Sequence, residues 1–175
     1  MRARRVLCLW FPRLAAERLM RMERGMEGGP LVVLQDVKNR QGIGALNTEA
    51  EQAGLMAGQT ARDAQAIRPT AHIRLANPQA EQLQLNALRR WAGKFSPWVA
   101  AEAPAGLILD ISGCAHLFGG EEALLHSIQD DCGDLGFTVL AGIADTVGAA
   151  WALARFSHHS AAAIRTGDDI QQEAR

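Results

Sequence analysis

The sequence predicts an α+β fold, an α/β sandwich with a ferredoxin-like βαββαβ core and a small α/β insertion. Residues 5–11 form a near-continuous apolar run, which is typical of a central strand buried on both faces. Val99–Glu102 and Leu107–Ile111 predict a hairpin around Ala103-Pro104. With residues 27–75 left out, the predicted order is strand, helix, two strands, helix, strand and helix, which is the ferredoxin-like plan.

The first helix follows Pro12, which ends the first strand. Apolar side chains then recur at helical spacing, and arginines lie on the other faces, as is typical of solvated helix faces. The break Gly28-Gly29-Pro30 separates this helix from the insertion. The apolar positions are Ala15, Leu19, Met22 and Met26, and the arginines are Arg13, Arg18, Arg21 and Arg24.

The insertion alternates short strands with short helices, each bounded by glycine or proline. Its strands are predicted at Leu31–Leu34, Gly42–Leu46 and His72–Leu75. Its helices are predicted at Thr48–Ala53 and Thr60–Ile67.

The second half of the chain supplies the rest of the core. Asn77-Pro78 is a strong helix start, and Ser96-Pro97 is predicted to end that helix. The pattern then predicts a helix over Glu121–Asp131 and a strand over Phe137–Ile143. Asp145 is predicted to cap the last helix. The apolar stripe of the last helix is Val147, Ala150, Trp151 and Ala154.

The composition of the chain limits the kinds of function that it can have. The chain has 175 residues with 48% hydrophobic and 21% charged residues, as is ordinary for a globular protein. Its net charge of −1 provides no overall field that attracts nucleic acid, so we expect weak DNA binding at most. Three unpaired cysteines and no secretory signal predict reduced thiols in the cytoplasm. No stretch approaches the ~20 apolar residues of a membrane span.

Residues 9–17 and residues 102–113 resemble the two metal-binding motifs of the Y-family (UmuC/DinB-like) translesion DNA polymerases. The start of the chain is similar to Asp-x-Asp-x-Phe-(Phe/Tyr)-Ala-(Ser/Ala)-Val-Glu, with Cys8 and Trp10 at the two aspartates. The hairpin is similar to Ser-Ile-Asp-Glu-Ala-Tyr-Leu-Asp-x-(Thr/Ser)-Gly, with Ala105 and Gly106 at the Asp-Glu pair. The resemblance therefore implies a polymerase palm whose catalytic positions are degenerate.

Further positions resemble the nucleotide-binding motifs of the same family. Pro12-Arg13 stands at the aromatic pair that gates the sugar of the incoming nucleotide. Thr48 and Glu51 stand at the Tyr and the Arg of Tyr-Glu-Ala-Arg, which hold the triphosphate. Residues 141–151 look like Gly-Ile-Ala-x-Asn-Lys-x-x-Ala-Lys without its lysines. The resemblance thus implies a degenerate nucleotide site, in which Glu51 repels a polyanion.

Three runs also resemble the inactive ImuB branch of this family, which belongs to bacterial SOS mutagenesis cassettes. They are residues 9–12, 109–120 and 144–155. The resemblance implies a non-catalytic accessory or scaffold in SOS-induced translesion synthesis and DNA repair. It also implies an ImuA-like partner, an error-prone replicative-type DNA polymerase and the sliding clamp. ImuB proteins are longer, so we expect these contacts to involve C-terminal regions without a counterpart here.

The same resemblance sets the expected domains. Residues 1–26 and 76–165 are expected to form a palm-like domain, and residues 27–75 a fingers-like domain. Residues 166–175 are expected to be a tail or the start of a missing thumb.

The residues at the degenerate catalytic positions do not suit magnesium. Polymerases use two metals about 3.5 to 4 Å apart, and magnesium prefers oxygen ligands. Cys8 offers a soft thiol, Trp10 offers no ligand, and Ala105 and Gly106 offer only backbone. We therefore expect no metal, no cofactor and no catalysis. Asp110 lies on the opposite strand face from position 105, and we interpret it as a turn or hydrogen-bonding residue.

Three other groups of residues have competing interpretations. Gly119-Gly120-Glu121-Glu122 resembles the GGDEF signature of diguanylate cyclases, but here it precedes a helical pattern, so we interpret it as a break and an acidic helix start. Cys114 and His116 would give Cys8 only two companions, and zinc needs a fourth ligand. His158-His159 is interpreted as an exposed polar end rather than a metal site.

The sequence leaves two interpretations of Trp10 open, namely core packing in the former cleft and contact with a partner. Two alternative functions also stand beside the accessory role. One is an active but divergent error-prone DNA polymerase that uses other acids. The other is a ferredoxin-like protein-interaction domain without a role on DNA.

Overall fold

A computed structural model describes residues 4–23, 28–157 and 162–164. Arg24, Met26, His158-His159 and the predicted tail 166–175 lie outside these residues. The strands are β1 Val6–Trp10, β2 Leu31–Val37, β3 Arg40–Leu46, β4 His72–Leu75, β5 Trp98–Glu102, β6 Gly106–Asp110, β7 Leu140–Ala144 and β8 Ala162–Ile164. The α-helices are α1 Leu14–Met22, α2 Thr48–Gln52, α3 Ala61–Ile67, α4 Pro78–Ala92, α5 Glu121–Leu135 and α6 Val147–Phe156.

The chain divides into two compact units. The larger unit comprises Met1–Pro12 and Gln82–Arg175, and the inserted unit comprises Arg13–Glu81. This division assigns α1 to the inserted unit, whereas the expected domain boundaries assigned it to the palm-like domain. The reason is packing, since Ala16 of α1 shares a buried cluster with Leu31 and Val33 of β2.

The larger unit contains a five-stranded sheet in the order β5-β6-β1-β7-β8. Its central strand β1 pairs antiparallel with both β6 and β7. The order of β5, β6, β1 and β7 is that of a ferredoxin-like core, so the predicted fold class is confirmed. Alternate β1 side chains cover both faces of the sheet, and Val6, Leu7, Cys8 and Leu9 are all fully buried.

Helix α6 lies on the sheet face that carries Cys8. Its Ala150 and Ala154 form one buried cluster with Val6, Cys8 and Ala144. The predicted apolar stripe of this helix is therefore confirmed. Within the described residues, no helix is long and apolar enough to cross a lipid bilayer.

The inserted unit contains a three-stranded sheet in the order β3-β2-β4. Strand β2 pairs antiparallel with β3 and parallel with β4. Asn47 caps α2, because its Oδ1 accepts hydrogen bonds from the N–H groups of Ala50 and Leu31, both at 2.9 Å. The buried core of this unit is Val32, Leu34, Ile43, Ala50, Leu55 and Ala64.

Thr146, and not Asp145, caps α6, so the predicted cap is wrong. The Oγ1 of Thr146 accepts a hydrogen bond from the N–H of Ala149 at 3.2 Å. Asp145 instead accepts a hydrogen bond from Arg5 at 2.8 Å. A distant cation thus draws the carboxylate away from the helix end, and the next residue serves as the cap.

Several other expectations also differ from the structure. Helix α5 continues past Asp131 to Leu135, and Gly136, with a positive φ of 78°, caps its end. Strand β7 begins at Leu140 rather than at the predicted residue 137, and β8 was not predicted. Arg18 of α1 is buried rather than solvated, and its Nη1 donates a hydrogen bond to the sulfur of Met22 at 3.1 Å.

Candidate functional site

The structure brings three of the four positions that were predicted to be degenerate catalytic positions together on one face of the larger sheet. Trp10 pairs directly with Gly106 across β1 and β6, and Cys8 pairs with Ile108. Side chains at Cys8 and Trp10 therefore point to the same face, next to the backbone of Gly106. Ala105 lies in the preceding turn, where its carbonyl oxygen accepts a hydrogen bond from the N–H of Phe11 at 2.9 Å.

The thiol of Cys8 is held in its neutral form. Only 1% of Cys8 is exposed, and burial raises the pKa of its thiol to about 11. The nearby charge of Arg155 acts in the opposite direction, and that of Glu102 adds to the rise. Because metals and electrophiles react with the thiolate, Cys8 is a poor ligand and a poor nucleophile at neutral pH.

This pKa predicts a loss of stability at alkaline pH. A pKa raised from 9.0 to about 11 means that the folded state keeps its proton longer than the unfolded state. Stability from Cys8 is therefore complete below pH 9 and is lost as pH rises through 11, by about 2.7 kcal/mol at 1.36 kcal/mol per pH unit. The chain has no tyrosine to obscure the effect.

We expect urea unfolding at several pH values from 7.5 to 11 to show this decline in the wild-type chain. Cys8→Ala should lose much less stability over the same range. Cys114→Ala, at a partly exposed thiol, is the matched control and should decline like wild type. Equal slopes for wild type and Cys8→Ala would show that Cys8 is not the group responsible.

Trp10 belongs to a stack that the sequence did not predict. The Arg155 guanidinium lies 4.6 Å from the ring centre of Trp10 and 4.7 Å from that of Trp151. The Trp151 ring also meets Phe156 edge to face, with centroids 5.8 Å apart. A guanidinium this close to two indole rings is stabilised by cation–π attraction to both of them. This half-buried stack supports the packing interpretation of Trp10, while a partner contact stays a prediction.

A double-mutant cycle tests this stack. We expect Trp10→Leu and Arg155→Met to couple by about 1 kcal/mol in the free energy of unfolding, because either change removes the same interaction. Urea titrations of the four chains measure the coupling. Trp91, whose ring is contacted by Lys94 instead, provides the control partner for Arg155→Met. If the two changes at Trp10 and Arg155 add without coupling, the stack contributes nothing beyond packing.

The donor set at this site does not fit a pair of divalent cations. A buried thiol, an indole, a methyl group and a glycine stand where the resemblance expects the oxygen ligands that magnesium requires. The carboxylates of Glu102 and Asp110 lie on the same face, but at opposite ends of the ladder, beside Gly106 and Val6 respectively. Across residues 4–23 and 28–157, no three His, Cys, Asp or Glu side chains come close enough to hold a metal. Cys8, Cys114 and His116 are thus not gathered into a site.

Two acidic residues considered in the sequence analysis, Asp110 and Glu121, have structural roles. Asp110 Oδ1 accepts a hydrogen bond from the N–H of Ser112 at 2.9 Å, and hydrogen bonds from Ser112 lower the pKa of its carboxyl. Asp110 is therefore a hydrogen-bonding residue, as interpreted from the sequence. Gly120 precedes α5 as its N-cap, and Glu121 starts the helix, so the break and the acidic helix start are also confirmed.

In the inserted unit, Thr48 is the first residue of α2, and Glu51 lies one turn later. The carboxylate of Glu51 forms an ion pair with Arg13, which also donates a hydrogen bond to the carbonyl of Leu46 at 3.2 Å. This ion pair was not predicted, because Arg13 and Glu51 belong to different motifs that were compared with the family separately. A signal was present, since Arg13 adds a positive charge and Glu51 a negative charge relative to the family motifs.

The chain is similar in sequence to several known proteins. A sequence profile of the impB/mucB/samB family matches residues 9–155. Over 103 residues the chain is 47% identical to Protein ImuB of Caulobacter vibrioides. This match covers 59% of the chain and 22% of the relative. Over 100 residues it is 34% identical to DNA polymerase IV of Pelotomaculum thermopropionicum, covering 56% of this chain and 25% of the relative.

Solved structures show the same fold. The insertion ternary complex of Dbh DNA polymerase superimposes with a TM-score of 0.77 at 19% identity, covering 97% of this chain and 51% of the other. DinB from Sulfolobus solfataricus gives 0.71 at 18% identity, covering 96% and 50%. The chain therefore spans about half the length of these polymerases, and its matches span a quarter or less of the curated relatives.

Proposed function

Because the chain belongs to the impB/mucB/samB family, we propose that it is a non-catalytic Y-family polymerase homologue that serves translesion DNA synthesis as an accessory or scaffold. The observation that carries this proposal is the donor set at the four positions where the family resemblance places metal-binding carboxylates. Catalysis by two metals needs carboxylates to hold both ions. The thiol of Cys8, the indole of Trp10 and the backbone of Ala105 and Gly106 do not provide them.

The inserted unit supports the same proposal. Where the family resemblance places a triphosphate-binding arginine, the carboxylate of Glu51 already engages Arg13. A phosphate group approaching Arg13 would have to displace that carboxylate and would meet its negative charge. The pair thus disfavours nucleotide binding at a second, independent place in the chain.

The proposed role involves partners beyond this chain. The relative at 47% identity is named ImuB, and we infer an ImuB-like role in the SOS response and DNA repair in the cytoplasm. The partners proposed are an ImuA-like protein, an error-prone replicative-type DNA polymerase and the sliding clamp. DNA contacts made by this segment alone are expected to be weak, since its net charge is −1.

Single-nucleotide incorporation tests the absence of catalysis. The chain is incubated with a labelled primer-template and each deoxynucleotide, with magnesium or with manganese, beside an active Y-family polymerase. We expect no extended primer above a protein-free control. Template-dependent extension that rises with the concentration of the chain would contradict the proposal.

One observation favours a second candidate, an active but divergent error-prone polymerase. The chain is 34% identical over 100 residues to a protein named DNA polymerase IV. This candidate requires other acids to hold the metals. The same incorporation assay separates the two candidates, because only the second predicts extended primer.

A further inference from the structure

Strand β5 is an outer strand of the larger sheet with one open edge. It pairs only with β6 among the described strands, over five residue pairs without a register shift. Natural edge strands are often protected by a bulge, a proline or charged side chains, lysine above all. The five residues of β5, Trp98–Glu102, contain neither proline nor lysine, their one charged residue is Glu102 at the end of the strand, and the strand has no bulge. This edge is therefore open to pairing with another extended chain.

The side chains on one face of β5 are exposed. Trp98 is 74% exposed, and Ala100 and Glu102, which share its face, are exposed as well. Across the ladder, Asp110 stands opposite Trp98, and Ile108 stands opposite Ala100. These five residues form the β5 edge surface. A large indole beside a small alanine provides an anchor with room for a neighbouring side chain.

The charged side chains of the β5 edge surface are both negative. Glu102 and Asp110 both present carboxylates, and neither forms an ion pair within residues 4–23 and 28–157. Hydrogen bonds from Ser112 and, to a smaller extent, the charge of Arg4 lower the pKa of the Asp110 carboxyl, so it is ionised at neutral pH. The carboxylates repel the phosphates of nucleic acid and attract basic side chains.

We propose that the β5 edge surface binds an extended segment of a partner protein in which apolar and basic side chains alternate. The segment adds a strand to β5 through backbone hydrogen bonds. Successive side chains of the added strand point to opposite faces of the sheet, so its basic side chains all lie on the exposed face, beside Glu102, Asp110 and the ring of Trp98, and its apolar side chains lie on the other face, beside Val99 and Ala101. This binding mode is independent of whether the chain has polymerase activity, so the incorporation assay does not decide it.

Two capped octapeptides test the proposal by isothermal titration calorimetry with the full 175-residue chain. One alternates lysine with valine, and the other alternates glutamate with valine. We expect saturable binding of the lysine peptide and at least tenfold weaker binding of the glutamate peptide. Trp98→Ala should weaken the lysine peptide about tenfold or more. Amide NMR should place the shifts on β5 and β6.

A charge reversal makes the test specific. Glu102→Lys should exchange the preference, so that the glutamate peptide becomes the tighter ligand. Glu122→Lys is the matched control, because it changes the net charge equally at an exposed site on α5. Melting temperatures near that of wild type establish that each variant is folded.

Four results would overturn the proposal. One is no binding of the lysine peptide, and another is equal binding to wild type, Trp98→Ala and Glu102→Lys. A third is binding of a single-stranded oligonucleotide to the wild-type chain that Trp98→Ala abolishes, which would show that the β5 edge surface binds nucleic acid. The last is a dimer in light scattering that Trp98→Ala dissociates, since a second copy would then occupy the edge.

Discussion

Gly142→Val is expected to prevent stable folding of the larger unit. Gly142 lies in β7 opposite Cys8, and α6 crosses it at very close range. A Cβ at this position would overlap the carbonyl oxygen of Ala150 and would lie 2.7 Å from both the Ala154 nitrogen and the Leu153 Cβ. Two of these atoms belong to the helix backbone, so a side-chain rotation cannot relieve the overlap. Only displacement of α6 would make room, and it would open the cluster around Cys8.

Gly142→Ala separates the steric cost from simple failure to express. Overpacking of a filled core costs about 1 to 3 kcal/mol, and backbone contacts place this change at or above the upper end. Gly133→Ala is the control, because a Cβ there meets nothing within 4 Å and the residue lies within α5. That change should be neutral or stabilising by up to about 1 kcal/mol. Thermal and urea unfolding measure both variants, and equal stabilities would refute the close approach.

Arg5→Met is expected to be the most destabilising change of a charged residue. The guanidinium of Arg5 donates to both carboxylate oxygens of Glu121 and to Asp145, all at 2.8 Å. It thus joins the start of β1 to the starts of α5 and α6. The bonds to Glu121 and then Asp145 raise the pKa of Arg5, so the cation persists at every working pH. Its removal leaves two carboxylates in partly buried positions without their cation.

We expect Arg5→Met to cost about 3 kcal/mol, at the lower end of the range for breaking a buried pair, because the carboxylates keep some access to solvent. Arg90→Met, at an exposed position of α4 without an ion pair among the described residues, should change stability by less than about 0.5 kcal/mol. Adding Glu121→Gln to Arg5→Met should recover part of the loss, because one uncompensated charge is then absent. A loss that stays the same would point to lost packing of the arginine stem.

Local signals predicted most of the fold. Asn77 starts α4 as expected, since its Oδ1 accepts a hydrogen bond from the N–H of Ala80 at 3.0 Å. Thr60 caps α3 through reciprocal hydrogen bonds with Asp63, three residues away. Such contacts span three residues, and the sequence therefore specifies them directly. The hairpin of β5 and β6 is equally local, since three residues join its strands.

Contacts between distant residues were not predictable in the same way. Arg5 meets its partners 116 and 140 positions away, and nothing in one sequence indicates which of the eighteen Lys and Arg residues does so. The Arg155 stack on Trp10 is of the same kind. Pairing across a sheet or between elements depends on the assembled fold. The sequence predicts which positions are degenerate, and that stays a prediction, while the groups that neighbour these positions required the structure.

The central claim is that the Cys8 face of the sheet holds no divalent cations, and manganese binding tests it most directly. Electron paramagnetic resonance would measure free manganese as it is titrated into the chain with a deoxynucleotide triphosphate present. The matching palm and fingers segment of an active Y-family polymerase serves as the positive control. We predict that the chain binds no manganese beyond the amount held by the nucleotide alone. Saturable binding of two manganese ions per chain, reduced by substitutions on the Cys8 face, would contradict the account.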